Sequence, residues 1–375
     1  MTTIDVLSFL YETAKEKNFF YNINFDFGAI VKPYLSMSDY TKFLEKKTIE
    51  IENFYIRYIN GKAFSLRYKE KATKYFYDIA NFYMFSSYYL PLDKVAEMFL
   101  GKHKMEDIDR ERLANDYNYI IENKEKVIEY CKTDSELTKE LAELYINSVV
   151  ETFKLMPKNY YSKASISKVY LEQYHPNLIE MNKVLRKNKL YKTYERYVKT
   201  AYRGGIFNVN VLGKVDNVID IDINSAYPSF ISKIPSLEKF EIQKVDGFDK
   251  DAFTGAYKVY VRYNHFLPYR HKNLVIYPVS KQKLLTYLSH EEVKFMLENF
   301  PTDIKVIDGI TLHLDSNELE FTDIIDIYNM RRKLKHSKDN KDKIRQWNLK
   351  VVLNAMYGVL AQQRPHLTKF TNLLL

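Results

Sequence analysis

The chain has 375 residues, enough for more than one domain with a real core, and its 10 Gly and 10 Pro exclude a low-complexity or collagen-like polymer. The formal charge of +9 points to a polyanionic partner, and 33 Tyr interleaved with the cations suit single-stranded nucleic acid, although core and rim packing accounts for much of that tyrosine. The lone Cys131 excludes an intramolecular disulfide framework, no apolar run reaches a membrane span, and the start is not a signal peptide, so a soluble cytoplasmic protein is expected.

Residues 4–16 read as an amphipathic helix leading into 21–28, where Asn22 and Asp26 are four apart. Such a pair either converges on a metal-bound phosphate or caps a surface helix. Alternation predicts strands over 49–58 and 63–67, then a helix from Asp78 and another over 92–100 closed by Gly101. Residues 109–156 are expected to be mostly helical. Within them Tyr130 and Asp134 share a face, as a solvated pair or as a hydroxyl and a carboxylate that orient water and bind a metal. The polar run 158–167 suggests a linker or a loop across a cleft. The basic helical stretch 168–200 runs into Tyr202-Arg203-Gly204-Gly205, where two glycines let backbone approach a phosphate chain.

Residues 218–223 alternate apolar and acidic, which predicts a strand with Asp220 and Asp222 on one side. It is either a metal-holding strand mouth or a solvated edge. Asn224 and Ser225 end it, and Pro228 suits the turn or helix start that follows. Beyond come an expected strand over 255–263, a turn over 267–270, a helix over 281–299, and strands over 304–307 and 310–314. This irregular order predicts an α+β fold. Helices follow over 321–338, with Arg331 and Lys335 one turn apart, and over 344–357, ending at Gly358. On the second, Lys350, Asn354 and Tyr357 share one face and present a cation, an amide and a phenol, suited to a triphosphate and a base or sugar edge.

Residues 222–229, Asp-Ile-Asn-Ser-Ala-Tyr-Pro-Ser, resemble motif A of family B DNA polymerases. Residues 350–358 resemble motif B, with Ala355 where Ser is usual. Tyr202 to Gly205 is similar to the Tyr-x-Gly-Gly motif between that family's exonuclease and polymerase regions. Asn22 to Asp26 and Tyr130 to Asp134 resemble its second and third exonuclease motifs, so five motifs stand in the family's order. The wide spacing from Asp222 to Lys350, and residues 266–270 and 287–292, resemble the protein-primed branch of viruses and linear plasmids. The resemblance implies a ribonuclease H-like 3′-5′ exonuclease domain over 1–157 without its first motif. A basic linker over 158–205, a palm with an insertion over 206–320, and fingers with the start of a second palm segment over 321–375 would follow, with no thumb.

The implied activity is template-directed dNTP addition with two Mg²⁺ ions. Asp222 and the Ile223 carbonyl would be metal ligands, and Asp26 and Asp134 would serve the exonuclease-like site. Lys350 would be catalytic at the triphosphate, assisted by Arg331 and Lys335. Tyr227 would exclude a 2′-hydroxyl, Asn354 and Tyr357 would line the nascent base pair, and Tyr202, Arg203, Gly204, Gly205 and Gly358 would meet DNA. Asp220 matches no family ligand. The implied partners are a primer-template, a terminal priming protein, and a second polypeptide carrying the thumb and the third polymerase motif, Asp-Thr-Asp. Neither that motif nor the first exonuclease motif, Asp-x-Glu, occurs at its place, and the apolar end 370–375 reads as a helix cut in mid-course. The chain alone is therefore expected neither to extend primers at a useful rate nor to proofread. The alternatives are a non-catalytic DNA-binding accessory protein derived from a polymerase and, third, a stand-alone nuclease. The Lys350, Asn354 and Tyr357 stripe favours the polymerase.

Overall fold

The computed structural model describes residues 2–84, 89–205, 209, 211–223, 225–236, 238–263, 267–271, 274–316 and 318–360, with backbone alone at 44, 270 and 271. The expectations for Asn224, Phe266 and 370–375 lie outside the described residues. The chain divides into two compact units, Met1–Tyr170 with Asn329–Val352, and Leu171–Tyr328 with Leu353–Leu375. Each has its own sheet, and helices surround both sequences of strands, an α+β fold as expected.

In the first unit the strands are β1 (Asn18–Phe20), β2 (Thr48–Ile51), β3 (Phe54–Ile59), β4 (Ala63–Tyr68) and β5 (Lys74–Asp78), in the order β1-β5-β4-β3-β2. β1 runs parallel to β5 and the other pairs are antiparallel. The single strand expected over 49–58 is a hairpin: Ile51 pairs with Phe54, and Glu52 turns the chain at φ +49°. Alternation continues across a two-residue loop, so the pattern hides the break. Asp78 ends a strand rather than opening a helix, and the helix Ala80–Tyr83 is one turn long.

One face of this sheet carries Ile51, Phe54, Ile56, Tyr58, Phe64, Leu66 and Phe76, buried against Leu7, Ile23, Phe27, Val31 and Phe43 of the helices before β3. Phe27 stacks on Tyr58 at 4.4 Å, and each such side chain contributes about 1.5–3 kcal/mol by burial. The helix Leu92–Leu100 ends, as expected, at Gly101, whose φ of +66° disfavours other residues. The long helix Lys124–Phe153 buries Leu137, Leu141, Tyr145, Val149 and Phe153 at four-residue spacing.

In the second unit the strands are β6 (Phe240–Val245), β7 (Thr254–Val261), β8 (Tyr269–His271), β9 (Leu274–Ile276), β10 (Leu284–Ser289) and β11 (Ile304–Leu314). They form an antiparallel sheet β10-β7-β11-β6 and a separate two-stranded antiparallel sheet of β8 and β9. The helix Tyr191–Ala201 packs Tyr194, Tyr197 and Val198 on Ile242, Ala256, Ile310 and Leu312. The helix His290–Asn299 packs Val293 and Met296 with Tyr257, Val259 and Leu288. Gly309 is required by close approach, since a Cβ there would lie 2.3 Å from Cδ1 of Tyr257.

Several expectations are corrected here. Residues 218–223 form no strand; they are irregular and pair with no described strand, with Ile219 83% and Ile221 86% exposed. Alternation specifies a strand only when a neighbour supplies hydrogen bonds and a layer to bury, and no described strand pairs with this segment. The helix expected over 281–299 begins only at His290, where Ser289 and Glu292 form a capping box. The apolar residues before it pair with β7 instead, because a short apolar run suits either structure and the ladder decides. The two strands expected over 304–314 are one, with an irregularity between Val306 and Asp308. β6 was not anticipated, though its alternation was visible. The last helix, Asn340–Leu360, passes through Gly358 instead of stopping there; glycine costs a helix interior only about 1 kcal/mol. Among the described residues no helix is long and apolar enough to cross a membrane.

Candidate nucleotide and nucleic-acid sites

Three tyrosines from three separate stretches meet in the second unit. Tyr202 caps the helix Tyr191–Ala201, its N–H donating to the Val198 carbonyl. Its hydroxyl lies 2.9 Å from that of Tyr357. The Tyr357 ring stacks on Tyr227, with centroids 4.4 Å apart and planes at 16°. Tyr227 sits on the short helix Ala226–Ile231, entered through Ser225 at φ +52°, and is 47% exposed. Burial first, then the Tyr202 hydroxyl, pushes the Tyr357 phenol far above its usual range. It is neutral at any working pH. The helix around Tyr357 buries Leu353, Met356 and Val359, and leaves Asn354 and Gly358 exposed.

The other residues of the Tyr-x-Gly-Gly stretch divide. Gly204 adopts φ +76°, a conformation that favours glycine, and both glycines are exposed. Arg203 is 7% exposed and is committed to protein: it donates to both carboxylate oxygens of Glu292 and to the Ala201 and Tyr287 carbonyls. Its geometry is that of a staple between the helix end and β10, not of a side chain presented to DNA.

In the first unit Arg331, Lys335 and Lys350 line a cavity of about 640 Å³ with Lys343, Gln346, Trp347, Met98 and Phe99. Its described lining contains cations and no carboxylate, the polarity a polyphosphate needs. The Lys350 ammonium lies 5.3 Å from the Trp347 ring centroid, and Lys163 lies 4.9 Å from the same ring. The Trp347 indole N–H donates to the Phe82 carbonyl, and Lys163 donates to that of Met84. Burial, then the charge of Lys350, lowers the Lys163 pKa to about 8.

A larger cavity of about 990 Å³ in the same unit brings together Asn22, Asp26 and Asp134 with Tyr21, Tyr89, Lys15, Lys17, Lys104 and Lys139. Burial, and then the charge of Asp78, raises Asp26 to about 6. Asn22 precedes the helix Ile23–Val31 at φ +62°. It is held by buried Asp78, which accepts from the N–H groups of Asn22, Ile23 and Ala80 and from the Tyr89 hydroxyl. Lys104 pairs with Asp134 at 2.5 Å and lies over the Tyr130 ring at 4.7 Å, so one cation unites the Tyr130 and Asp134 pair. Sequence reasoning missed Asp78, Tyr89 and Lys104 as members of this site. Asp78 carried a signal, a carboxylate at a strand end; Lys104 looked like one more charge in a connection.

The family model for DNA polymerase type B, organellar and viral, matches residues 9–371. The chain belongs to this family. It is 26% identical, over 96% of its own length, to a DNA polymerase of Acidianus bottle-shaped virus (isolate Italy/Pozzuoli), of which it covers 56%. Its fold is similar to that of Phi29 DNA polymerase complexed with primer-template DNA, with a TM-score of 0.51 at 17% identity, covering 81% of this chain and 52% of the other. The ternary complex of the same polymerase with primer-template and incoming nucleotide substrates gives 0.52 at 18% identity, with 81% and 52% covered. The chain thus spans about half the length of the relatives it matches.

For a type B polymerase, metal ions at Asp222 are the implied cofactor. Asp222 and Ile223 lie on the exposed irregular segment, and among the described residues no three His, Cys, Asp or Glu side chains gather into a group able to hold a metal. The donors that the described residues bring to Asp222 are too few by themselves for such an ion.

Proposed function

We propose that this chain serves template-directed DNA synthesis as the nucleotide-receiving part of a protein-primed type B polymerase. The observation that carries the reading is the meeting of Tyr202, Tyr227 and Tyr357, each from a different polymerase motif. A flat, uncharged, half-buried aromatic stack suits the sugar and base of an incoming deoxynucleotide. In this reading Tyr227 sits under the deoxyribose and excludes a 2′-hydroxyl, while Asn354 and Tyr357 line the nascent base pair. Lys350, Arg331, Lys335 and Lys343 neutralise the triphosphate, and the Gly204 and Gly205 backbone tracks the template. The unit with the five-stranded sheet is read as the ribonuclease H-like exonuclease domain, and the four-stranded sheet as the palm. Partners are a primer-template, a terminal priming protein and the segments that complete a full-length relative, all in the host cytoplasm.

The test is calorimetric titration of the chain, bound to a primer-template hairpin, with each dNTP. The templated nucleotide binds more tightly than the other three, and Lys350→Met weakens it by about tenfold or more, the loss expected for a charge-assisted contact. Equal affinity for all four nucleotides, or none, overturns the reading.

A further inference from the structure

The five-stranded sheet buries one face, and the opposite face holds a patterned set of side chains that the polymerase reading does not use. Strand register fixes this set. Tyr55 of β3 pairs with Arg67 of β4, and Arg57 pairs with Ser65, which pairs in turn with Tyr75 of β5. Because side chains alternate along a strand, these residues point away from Phe54, Ile56, Leu66 and Phe76 of the core. Arg57 and Arg67 are exposed and Tyr75 is 41% exposed. The Arg67 guanidinium lies over the Tyr55 ring at 5.1 Å, and Tyr75 stacks along Tyr77 with planes at 13°. At the β1 end the same face is closed, where Tyr160 and Tyr161 pack on Tyr77 at 5.4 and 5.3 Å and Tyr161 meets Tyr75 edge-on at 6.4 Å, leaving Tyr75 open on its other side. The open part therefore runs from Tyr75 across Ser65 and Arg57 to Tyr55 and Arg67. Glu50, opposite Tyr55 on β2, is the carboxylate at its far edge. Neither Arg57 nor Arg67 has a carboxylate partner within ion-pair distance among the described residues.

We infer that this face is a docking surface for single-stranded DNA, the strand that a chain of the DNA polymerase type B family meets, separate from both cavities. The chemistry is specific to that ligand. Two tyrosines two strand spacings across and two residues along the sheet, about 12 Å apart, offer stacking platforms to bases a step or two apart along a strand, and the guanidinium over Tyr55 extends one platform. The two exposed arginines flank the line between the rings, Arg67 level with Tyr55 and Arg57 level with Tyr75, where they meet the phosphates. A duplex keeps its bases stacked on one another and cannot use the rings, and an acidic peptide has no flat groups to fill them.

The experiment uses the full chain and short labelled oligo(dT) and oligo(rU) carrying 5-iodouracil. Affinity is read by fluorescence anisotropy across salt concentrations, and contact by photo-cross-linking to identified peptides. Cross-links fall on the β3 and β5 peptides holding Tyr55 and Tyr75. Tyr75→Ala weakens binding by about five- to hundredfold, the range for one base–aromatic stack, while Tyr75→Phe, which keeps the ring, binds like the unmodified chain. Arg57→Ala with Arg67→Ala lowers the salt slope by about 1.4, two phosphates at roughly 0.7 each. Templated dNTP binding is unchanged in these variants, so this surface and the polymerase reading fail or stand separately. Oligo(dT) binds more tightly than oligo(rU), and the reverse order overturns the assignment to DNA. Cross-links confined to other peptides, an unaltered affinity and slope in the double arginine variant, or equally effective competition by polyglutamate overturns the inference.

Discussion

Tyr227 and Tyr357 stack face to face at 4.4 Å, and the same Tyr357 hydroxyl meets Tyr202 at 2.9 Å. One phenol thus has two separable tasks, ring and hydroxyl. Tyr357→Ala removes both and is expected to weaken templated dNTP binding more than Tyr357→Phe. Tyr202→Phe and Tyr357→Phe each remove the same hydrogen bond, worth about 1 kcal/mol. Their double variant should therefore be no weaker than either single one. Additive losses in this calorimetric cycle would show that the hydroxyls act independently.

Lys163 and Lys350 share the ring of Trp347, the only Trp in the chain, so its fluorescence reports on them. Lys163 is lowered to about 8 from 10.5 in the fold. Between those values the unfolded chain holds the proton longer, so this group makes stability rise with pH across the window. Trp347 emission is expected to titrate with a midpoint near 8 and to lose that step in Lys163→Met. Removing the neighbouring charge in Lys350→Met should move the midpoint upward. A midpoint unmoved by Lys350→Met would leave burial as the sole cause.

Asp26 has the opposite sign. Burial and Asp78 raise it from 3.8 to about 6, so the fold holds the proton that the unfolded chain releases, and stability falls as pH rises through that window. Asp26→Asn is predicted to flatten the dependence and to stabilise the chain at neutral pH by about 1 kcal/mol after allowance for solvent screening. Urea melts at several pH values between 4 and 7 measure it. A slope retained in Asp26→Asn would assign the titration elsewhere.

Arg203 is predicted to matter for folding. Its removal leaves Glu292 and two carbonyls without their partner, and loss of a buried ion-pair member costs about 3–5 kcal/mol. Arg203→Lys should not rescue it, because an ammonium cannot reproduce the forked contact. The salt slope of primer-template binding by the folded fraction should stay the same. A reduced slope would return Arg203 to the DNA.

Local pattern alone determined much about this protein: the helix Leu92–Leu100 with its Gly101 end, the α+β class, and five short motifs whose order carries the family. These depend on neighbours a few residues apart, where backbone geometry and side-chain spacing are set by the chain itself. Tertiary structure decided the rest. The alternation of 218–223 asked for a strand, but a ladder needs a partner, and none of the described strands pairs with it. The apolar run 284–288 suited either element until β7 took it into a sheet. Lys104 and Trp347 looked ordinary in the chain; they became a bridge to Asp134 and a platform for Lys163 only through residues far away in sequence, and Asp78, read as a helix start, became the anchor of Asn22 and Ile23 in the same way. Arg203, read as a DNA contact beside two glycines, met Glu292 first. A side chain's type restricts what it can bind, and burial together with the nearest opposite charge selects which of those partners it has.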